Sequence, residues 1–186
     1  MIKINMGCGW RDFGEDWVHI DGGDYPHLDS KDIFNLPYDD NSVDLIYASH
    51  VIEYFNREEV KDILNEWIRV LKPGGTLRLA VPDFENMCFL YKVLQYPIET
   101  FLGPLYGQMS MGDETIYHKT TYDFKSLKLL LEGLGMKDIV KYDWKDTEHS
   151  EFDDHSQAYI PHMDKEDGTL ISLNMECKKW VKEKHL

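Results

Sequence analysis

Short apolar runs alternate along the chain with longer stretches of helical periodicity. The runs predict strands over residues 2–6, 17–21, 32–35, 43–49, 76–81, 137–144 and 170–177. Residues 43–49 are apolar enough to be buried on both faces, which is typical of a central strand in a parallel sheet.

Amphipathic stretches predict helices over residues 56–71, 84–95 and 122–134. In the first, Asn56 suits the N-cap, and the pattern ends at Pro73 and Gly74, which do not continue a helix. Strands that alternate with helices indicate an α/β fold with a mostly parallel sheet. Ligands of such sheets bind where the strands end.

The composition is that of one soluble domain. Of 186 residues, 42% are hydrophobic and 29% charged, and the longest apolar runs are too short to span a bilayer. The N-terminus lacks the apolar region of a signal peptide. The three cysteines are widely spaced and odd in number, which fits a reducing compartment and no disulfide framework. We therefore expect a cytoplasmic protein without membrane insertion.

The charge is strongly negative and uneven. A formal net charge of −14 argues against a nucleic-acid partner, because a phosphate backbone requires a cationic face. Residues 143–167, here called the acidic segment, hold nine carboxylates and two lysines. This segment is either a solvated loop or a loop that folds back over the ligand-binding edge of the sheet.

A glycine turn, Gly7-Cys8-Gly9, directly follows the first predicted strand. Glycine allows the backbone to approach a ligand closely, and two classes of cofactor are bound by such a turn. A dinucleotide-binding motif would have its third glycine where Asp12 stands, followed by a long helix. The second strand begins too soon for that helix, so a pyrophosphate site is disfavoured.

Acidic residues lie at the ends of the next two predicted strands. Asp21 can accept hydrogen bonds from both hydroxyls of a ribose. Asp32, together with the backbone of Ile33, is placed to contact the edge of an adenine. The spacing therefore predicts an adenosine site.

Four motifs, in order, resemble those of class I S-adenosylmethionine-dependent methyltransferases. They are Asn-Met-Gly-Cys-Gly (5–9), His-Ile-Asp-Gly-Gly (19–23), the run from Asp-Ile-Phe-Asn to Val-Ile-Glu-Tyr (32–54) and Val-Leu-Lys-Pro-Gly-Gly-Thr-Leu-Arg-Leu (70–79). The resemblance implies S-adenosylmethionine as cofactor, with the glycine turn and Ser49 near its methionine end. The implied cofactor-binding residues are Gly7, Gly9, Trp10, Asp21, Gly22, Asp32, Ile33 and Ser49.

The resemblance also implies a Rossmann-like fold whose seven-stranded, mainly parallel sheet ends in an antiparallel strand. This chain departs from the family at Asn5, where an acid is usual, and in its short first crossovers. It looks like a compact branch found near surface-polysaccharide genes. We expect one domain, 1–186, with a cofactor-binding half at 1–83 and an acceptor-site lid and loop at 84–121 and 144–168.

Methyl transfer to a hydroxyl requires a base, and histidine is the natural one near neutral pH. Three histidines are candidates for catalysis: His50 after the fourth strand, His118 in the lid region, and His155 in the acidic segment. Carboxylates near His155 would also suit Mg²⁺ or Mn²⁺, but they lack a fixed ligand spacing, and we predict no metal.

These features predict methyl transfer to a small polar molecule, most simply to a hydroxyl of a sugar or nucleotide-sugar in surface-glycan synthesis. Transfer to a nitrogen or a phosphate oxygen stays open, and so does a homodimer. Two other classes of protein are alternatives. One is an inactive cofactor-binding partner protein, and the other is a nucleotide-dependent dehydrogenase or epimerase.

Overall fold

The computed structural model describes residues 1–180. Within this range the strands are β1 (Lys3–Met6), β2 (Val18–Ile20), β3 (Val43–Ser49), β4 (Leu71–Pro82), β5 (Met109–Met111), β6 (Glu114–Ile116), β7 (Met136–Lys141), β8 (Tyr159–Ile160), β9 (Thr169–Leu170) and β10 (Ser172–Lys179). The helices are α1 (Glu59–Val70), α2 (Phe84–Lys92), the short α3 (Leu102–Tyr106) and α4 (Phe124–Gly133). No helix among these residues is long and apolar enough to cross a membrane.

Six strands form the central sheet, in the order β2-β1-β3-β4-β10-β7. The first four are parallel, whereas β10 is antiparallel to both β4 and β7. The remaining strands form two small hairpins, β5-β6 and β8-β9. The predicted α/β Rossmann-like fold, with its mainly parallel sheet and antiparallel last strand, is confirmed.

The expected count of seven strands is wrong for the described residues, because residues 32–35 form a turn. The Asp32 carboxylate accepts the backbone N–H groups of Phe34 and Asn35 at 2.8 and 3.0 Å. Such side-chain capping of the backbone competes with strand pairing. Only Ser30 continues the sheet here, through a single bridge to Ile20.

Helix α1 follows the predicted pattern closely. The Asn56 side chain accepts the N–H groups of Glu58 and Glu59, and the face that includes Ile63 and Trp67 is buried. The next strand differs from the prediction, since β4 begins at Leu71 rather than at residue 76. Its pairing with β3 shifts register after Leu71, so the proline and glycines lie in an irregular stretch of β4.

Strand β3 is buried on both faces, as expected. Ile46 and Ala48 pack into the main core beneath the helices, whereas Leu45 and Tyr47 face a smaller aromatic cluster. Neither of the first two connections, residues 7–17 and 21–42, contains a helix. The reduced first crossovers are therefore confirmed, and something else must cover that side of the sheet.

The acidic segment provides this cover. Phe152 stacks on Phe13 with ring centroids 4.5 Å apart, and the His149 ring is also stacked on Phe13, at 5.6 Å and an interplanar angle of 10°. Aromatic stacking of this kind stabilises a core beyond the area that it buries. The acidic segment thus folds back onto the sheet and takes the place of a crossover helix.

Candidate active site

The glycine turn lies at the end of β1 and has left-handed backbone at both glycines. Gly7 has φ +65° and Gly9 has φ +58°, values that side-chain-bearing residues rarely adopt. A Cβ atom on Gly7 would also collide with the Val51 side chain. The turn is fixed in place by a 2.6 Å hydrogen bond from the Gly7 N–H to the carbonyl of Ile20.

Asp21 ties this turn to the end of β2. One carboxylate oxygen accepts the Gly9 N–H at 2.8 Å, and the other accepts the Gly23 N–H at 2.7 Å. Each oxygen of an ionised carboxylate has a second acceptor direction. Asp21 lines the cavity described next, so those directions serve a ligand there.

A large cavity, of about 1120 Å³, opens at the carboxyl edge of the sheet. Seven of the eight residues predicted to bind the cofactor line it; they are Gly7, Gly9, Trp10, Asp21, Gly22, Ile33 and Ser49. Asp32 does not line it, because its carboxylate is held in the turn at residues 32–35.

Ser49, at the end of β3, has an orphaned hydroxyl. Its Oγ atom is buried and has no hydrogen-bond partner among the described residues. A buried polar atom without a partner costs free energy unless a ligand or water satisfies it. Because Ser49 also lines the cavity, its hydroxyl fits a polar group of a bound molecule.

All three candidate histidines line the same cavity, although they come from distant parts of the sequence. His50 follows β3 with φ 55°, and its ring centroid lies 5.1 Å from that of His155 in the acidic segment. His118 lies beyond β6, where its N–H donates to the carbonyl of Tyr106. Residues 153–155 and 157–163 also line the cavity, so the acidic segment both covers the sheet and forms a cavity wall.

A chain of hydrogen bonds fixes the tautomer of His50. The Asn174 amide nitrogen donates to the carbonyl of Ser156, so the amide oxygen accepts the Ser172 hydroxyl proton at 2.9 Å. The Ser172 oxygen must then accept the Nε2–H of His50, which lies 3.3 Å away. Burial holds the pKa of His50 well below its usual value, so the ring is neutral and Nδ1 carries a lone pair.

The tautomer of His118 follows from one contact. Its Nδ1 atom lies 3.0 Å from the carbonyl oxygen of Pro104, which can only accept, so Nδ1 carries the proton. Burial lowers the pKa of His118 as well, which favours the neutral ring. Its Nε2 lone pair is therefore available as a base.

Glu53 is the site residue that the sequence analysis missed. It is 0% exposed, and neither carboxylate oxygen has a hydrogen-bond partner in residues 1–180. One of them lies 3.4 Å from His50 Nδ1 and 3.9 Å from His118 Nε2. Its position three residues after His50, within the motif His-Val-Ile-Glu, was the available signal.

Part of the cavity wall is apolar, and Arg11 is the single lysine or arginine in the lining of the cavity. Arg11 is engaged by a 2.8 Å hydrogen bond from Nε to the carbonyl of Asp153. The apolar side chains that line this wall are those of Met109, Met111, Ile116, Ile160, Met163 and Ile171. Such a surface suits an uncharged acceptor with an apolar face.

The two carboxylates of the acidic segment that line the cavity are used within the protein. Asp153 pairs with Lys165 at 3.0 Å, and Asp154 accepts the Tyr47 hydroxyl and the Ser156 N–H. No group of three metal-binding side chains comes together in the described part of the chain.

Comparison with known proteins agrees with this geometry. Residues 17–79 match a family described as a methyltransferase domain. Demethylmenaquinone methyltransferase from Staphylococcus epidermidis is 31% identical over 121 residues, covering 59% of this chain and 46% of the relative. The chain spans about half the length of the curated relatives that it matches.

Solved structures resemble nearly the whole chain. A methyltransferase from Burkholderia thailandensis, bound to 1,6-didemethyltoxoflavin and S-adenosylhomocysteine, has a TM-score of 0.58 at 11% identity and covers 97% of this chain and 71% of its own. A methyltransferase from Haloferax volcanii, in complex with the activator Trm112, has a TM-score of 0.55 at 18% identity and covers 99% and 84%. The shared fold and the matched segment identify this chain as one with a class I methyltransferase fold.

Proposed function

We propose that the protein is an S-adenosylmethionine-dependent methyltransferase that acts on a hydroxyl group of a small, uncharged molecule. The observation that carries the proposal is one cavity whose lining includes the glycine turn, Asp21, His50 and His118. A nucleoside site that adjoins neutral histidines is what methyl transfer to a hydroxyl needs.

The residues present fit the cofactor. Asp21 would hold the ribose hydroxyls, and the two glycines of the turn leave room for the methionine end beside the orphaned Ser49 hydroxyl. When bound, the cofactor supplies an activated methyl group on a positively charged sulfur. The resemblance also supports an adenine contact from Asp32 and Ile33, of which only Ile33 lines the cavity.

The chain's own residues supply orientation and the base. His118 offers its Nε2 lone pair, while the carbonyl of Pro104 holds the ring in place through Nδ1. His50 is fixed by Ser172 and gives the wall between cofactor and acceptor a defined shape. Burial of these rings excludes water, which would otherwise compete for the same proton transfer.

The charged groups around the cavity limit the chemical class of acceptor that can bind there. A nucleotide-sugar or phosphate acceptor would need cations, and Arg11 is already bound to the backbone of Asp153. Among the acceptors expected from the sequence, an uncharged sugar hydroxyl is thus preferred. Assignment to surface-glycan synthesis depends on the family resemblance alone.

A second acceptor class has specific support. The methionine-rich wall, with the similarity to demethylmenaquinone methyltransferases, favours an aromatic hydroxyl compound such as a quinol. Loss of a hydroxyl proton would activate such a ring for methylation at oxygen or at carbon. Removal of a hydroxyl proton by a histidine therefore serves both candidate acceptors, the sugar and the quinol.

Calorimetric titration with S-adenosylmethionine, S-adenosylhomocysteine and NAD tests the cofactor. Both sulfur compounds should bind, NAD should not, and Asp21→Ala should lose binding while remaining folded. Turnover would then be measured with a methyl glycoside, UDP-glucose and 1,4-naphthoquinol. Absence of binding of both sulfur compounds would overturn the proposal, and binding without turnover on any acceptor would favour the inactive-partner alternative.

Residues 1–83 then form the cofactor half of one domain, and residues 84–121 and 144–168 form the acceptor side. Residues on the cavity wall from Tyr96 to His118 and from Asp153 to Met163 support this division. Residues 181–186 lie outside the described range.

A further inference from the structure

Glu53 is a buried carboxyl group that has no role in the reaction proposed above. It lies on the 3-10 turn Ile52–Tyr54, and its main-chain carbonyl accepts the N–H groups of Lys119 and Thr120. This pairing joins the turn after β3 to the segment that carries His118. The carboxyl group is thereby held between two histidines of the cavity wall, at 3.4 and 3.9 Å.

Both histidines present lone pairs, not protons, to this carboxyl group. The tautomers deduced above leave His50 Nδ1 and His118 Nε2 unprotonated. An ionised Glu53 would therefore face two lone pairs with no donor in reach, whereas a protonated Glu53 has two acceptors nearby. Geometry thus favours the protonated carboxyl group in the free protein.

Building on the proposed function, we propose that Glu53 is the proton store of the site. It is protonated in the free protein, ionises when the cationic methyl donor binds, and takes up through His118 the proton released by methyl transfer. Glu53 does not line the cavity, so it is a positioning and proton-accepting residue that acts through the two histidines.

The step balances in atoms and charge. The acceptor oxygen forms a bond to the methyl carbon, and the carbon–sulfur bond breaks with its electron pair kept by sulfur, which becomes a neutral thioether. The acceptor proton moves to His118 Nε2 and from there to the Glu53 carboxylate. One positive and one negative charge disappear together, so no net charge remains buried.

Among the buried groups that surround it, Glu53 is the one whose pKa lies near neutral pH. Burial raises the pKa of Glu53 to about 8. Burial also lowers the pKa of His50 and the pKa of His118. Burial raises the pKa of the Tyr54 and Tyr122 hydroxyls. Beyond them, His155 faces His50, and the Lys119 ammonium group is paired with Glu59.

Calorimetry in buffers of different ionisation enthalpy tests the proposal without measuring turnover. S-adenosylmethionine and S-adenosylhomocysteine carry the same ionisable groups and differ in the fixed positive charge on sulfur. At pH 7, binding of the cationic compound should release about one proton more than binding of the neutral compound. Glu53→Gln should abolish this difference, and Glu53→Asp should restore part of it. Glu15→Gln, at an exposed carboxylate, is the matched control.

A measurement on the unaltered protein covers the case in which Glu53→Gln does not fold. The affinity ratio of the cationic to the neutral compound should rise about tenfold per pH unit below pH 8 and level off above it. A pH-independent ratio, or an unchanged proton difference in a folded Glu53→Gln variant, would overturn the proposal. If neither compound binds at all, it is the proposed function that has failed.

Discussion

The hydroxyl of Tyr47 donates a 2.6 Å hydrogen bond to the carboxylate of Asp154, a residue 107 positions later in the chain. Tyr47 is 0% exposed in the centre of the sheet, and Asp154 begins the turn that carries His155. This contact joins the acidic segment to the face left open by the short first crossover. It also positions the part of the segment that lines the cavity.

Tyr47→Phe should lower the free energy of unfolding by about 1–3 kcal/mol, because Asp154 loses a buried donor to its carboxylate. Urea unfolding measures this change. Tyr38→Phe provides a control, since its hydroxyl has no hydrogen bond among those found in the described residues. Equal stability of Tyr47→Phe and the unaltered protein would show that the contact does not hold the segment in place.

His149 gives the protein a pH dependence of stability. It is 1% exposed, and burial, followed by the nearby Arg78 guanidinium, lowers its pKa to about 4. Between that value and the usual 6.5, the unfolded chain binds more protons than the folded one, so stability falls as the pH falls. The full loss from this group is on the order of 3 kcal/mol.

Urea unfolding at a series of pH values between 7 and 4 would reveal this slope. His149→Gln removes the titrating ring, so its stability should fall less steeply over the same range. Titratable groups away from His149 behave alike in both proteins, so the difference between the two slopes reports His149 together with its coupling to Glu148 and Asp154. Parallel slopes would contradict the assignment.

The position of the glycine turn and Asp21 at the cavity was predictable because the signals for these residues are local. Gly7, Gly9 and Asp21 lie within a short stretch, and each follows a strand whose apolar run is plain in the sequence. Parallel strands place these positions at one edge of the sheet whatever the rest of the chain does. Residues 32–35 form a turn and not the predicted strand, because the Asp32 carboxylate accepts backbone N–H groups there. The contact of Asp32 with adenine stays a prediction.

The acceptor half depends on contacts between residues far apart in the chain. Neither the pairing of Tyr47 with Asp154 nor the approach of His118 to Glu53 leaves a periodic signal in the sequence. The charge of the acidic segment left both a solvated loop and a folded-back loop open, and its aromatic residues pack onto Phe13. Burial of a few rings outweighed the average polarity of the segment.

The two glycines of the turn should respond differently to alanine. Both have left-handed backbone, but only at Gly7 would the added Cβ collide with Val51; at Gly9 the nearest atom is 4.0 Å away. Gly9→Ala should cost about 1 kcal/mol of stability from backbone strain alone. Gly7→Ala should cost distinctly more and weaken cofactor binding.

Thermal unfolding and calorimetric titration with S-adenosylhomocysteine would measure both effects. Gly7→Ala combined with Val51→Ala removes the collision and should recover part of the loss. Equal behaviour of the two single variants would mean that backbone strain, not the contact with Val51, dominates at this turn.

Gly107 supports the position of His118. With φ +59°, it leaves no room for a side chain, since a Cβ atom would lie 2.6 Å from Cδ2 and Nε2 of the His118 ring. Gly112 also has a positive φ, +60°, but open space around the missing Cβ. Gly107→Ala and Gly112→Ala both place alanine at a positive φ, and only the first also displaces the proposed base. A misplaced base lowers the rate of proton transfer more than it lowers binding.

In steady-state assays with an acceptor found by screening, Gly107→Ala should reduce kcat about tenfold or more, whereas Gly112→Ala should keep kcat near that of the unaltered protein. Binding of S-adenosylhomocysteine should be unchanged in both, which separates loss of the base from loss of the cofactor site. Equal kcat values in the two variants would exclude His118 as the base and leave His50 or His155 to be tested in its place.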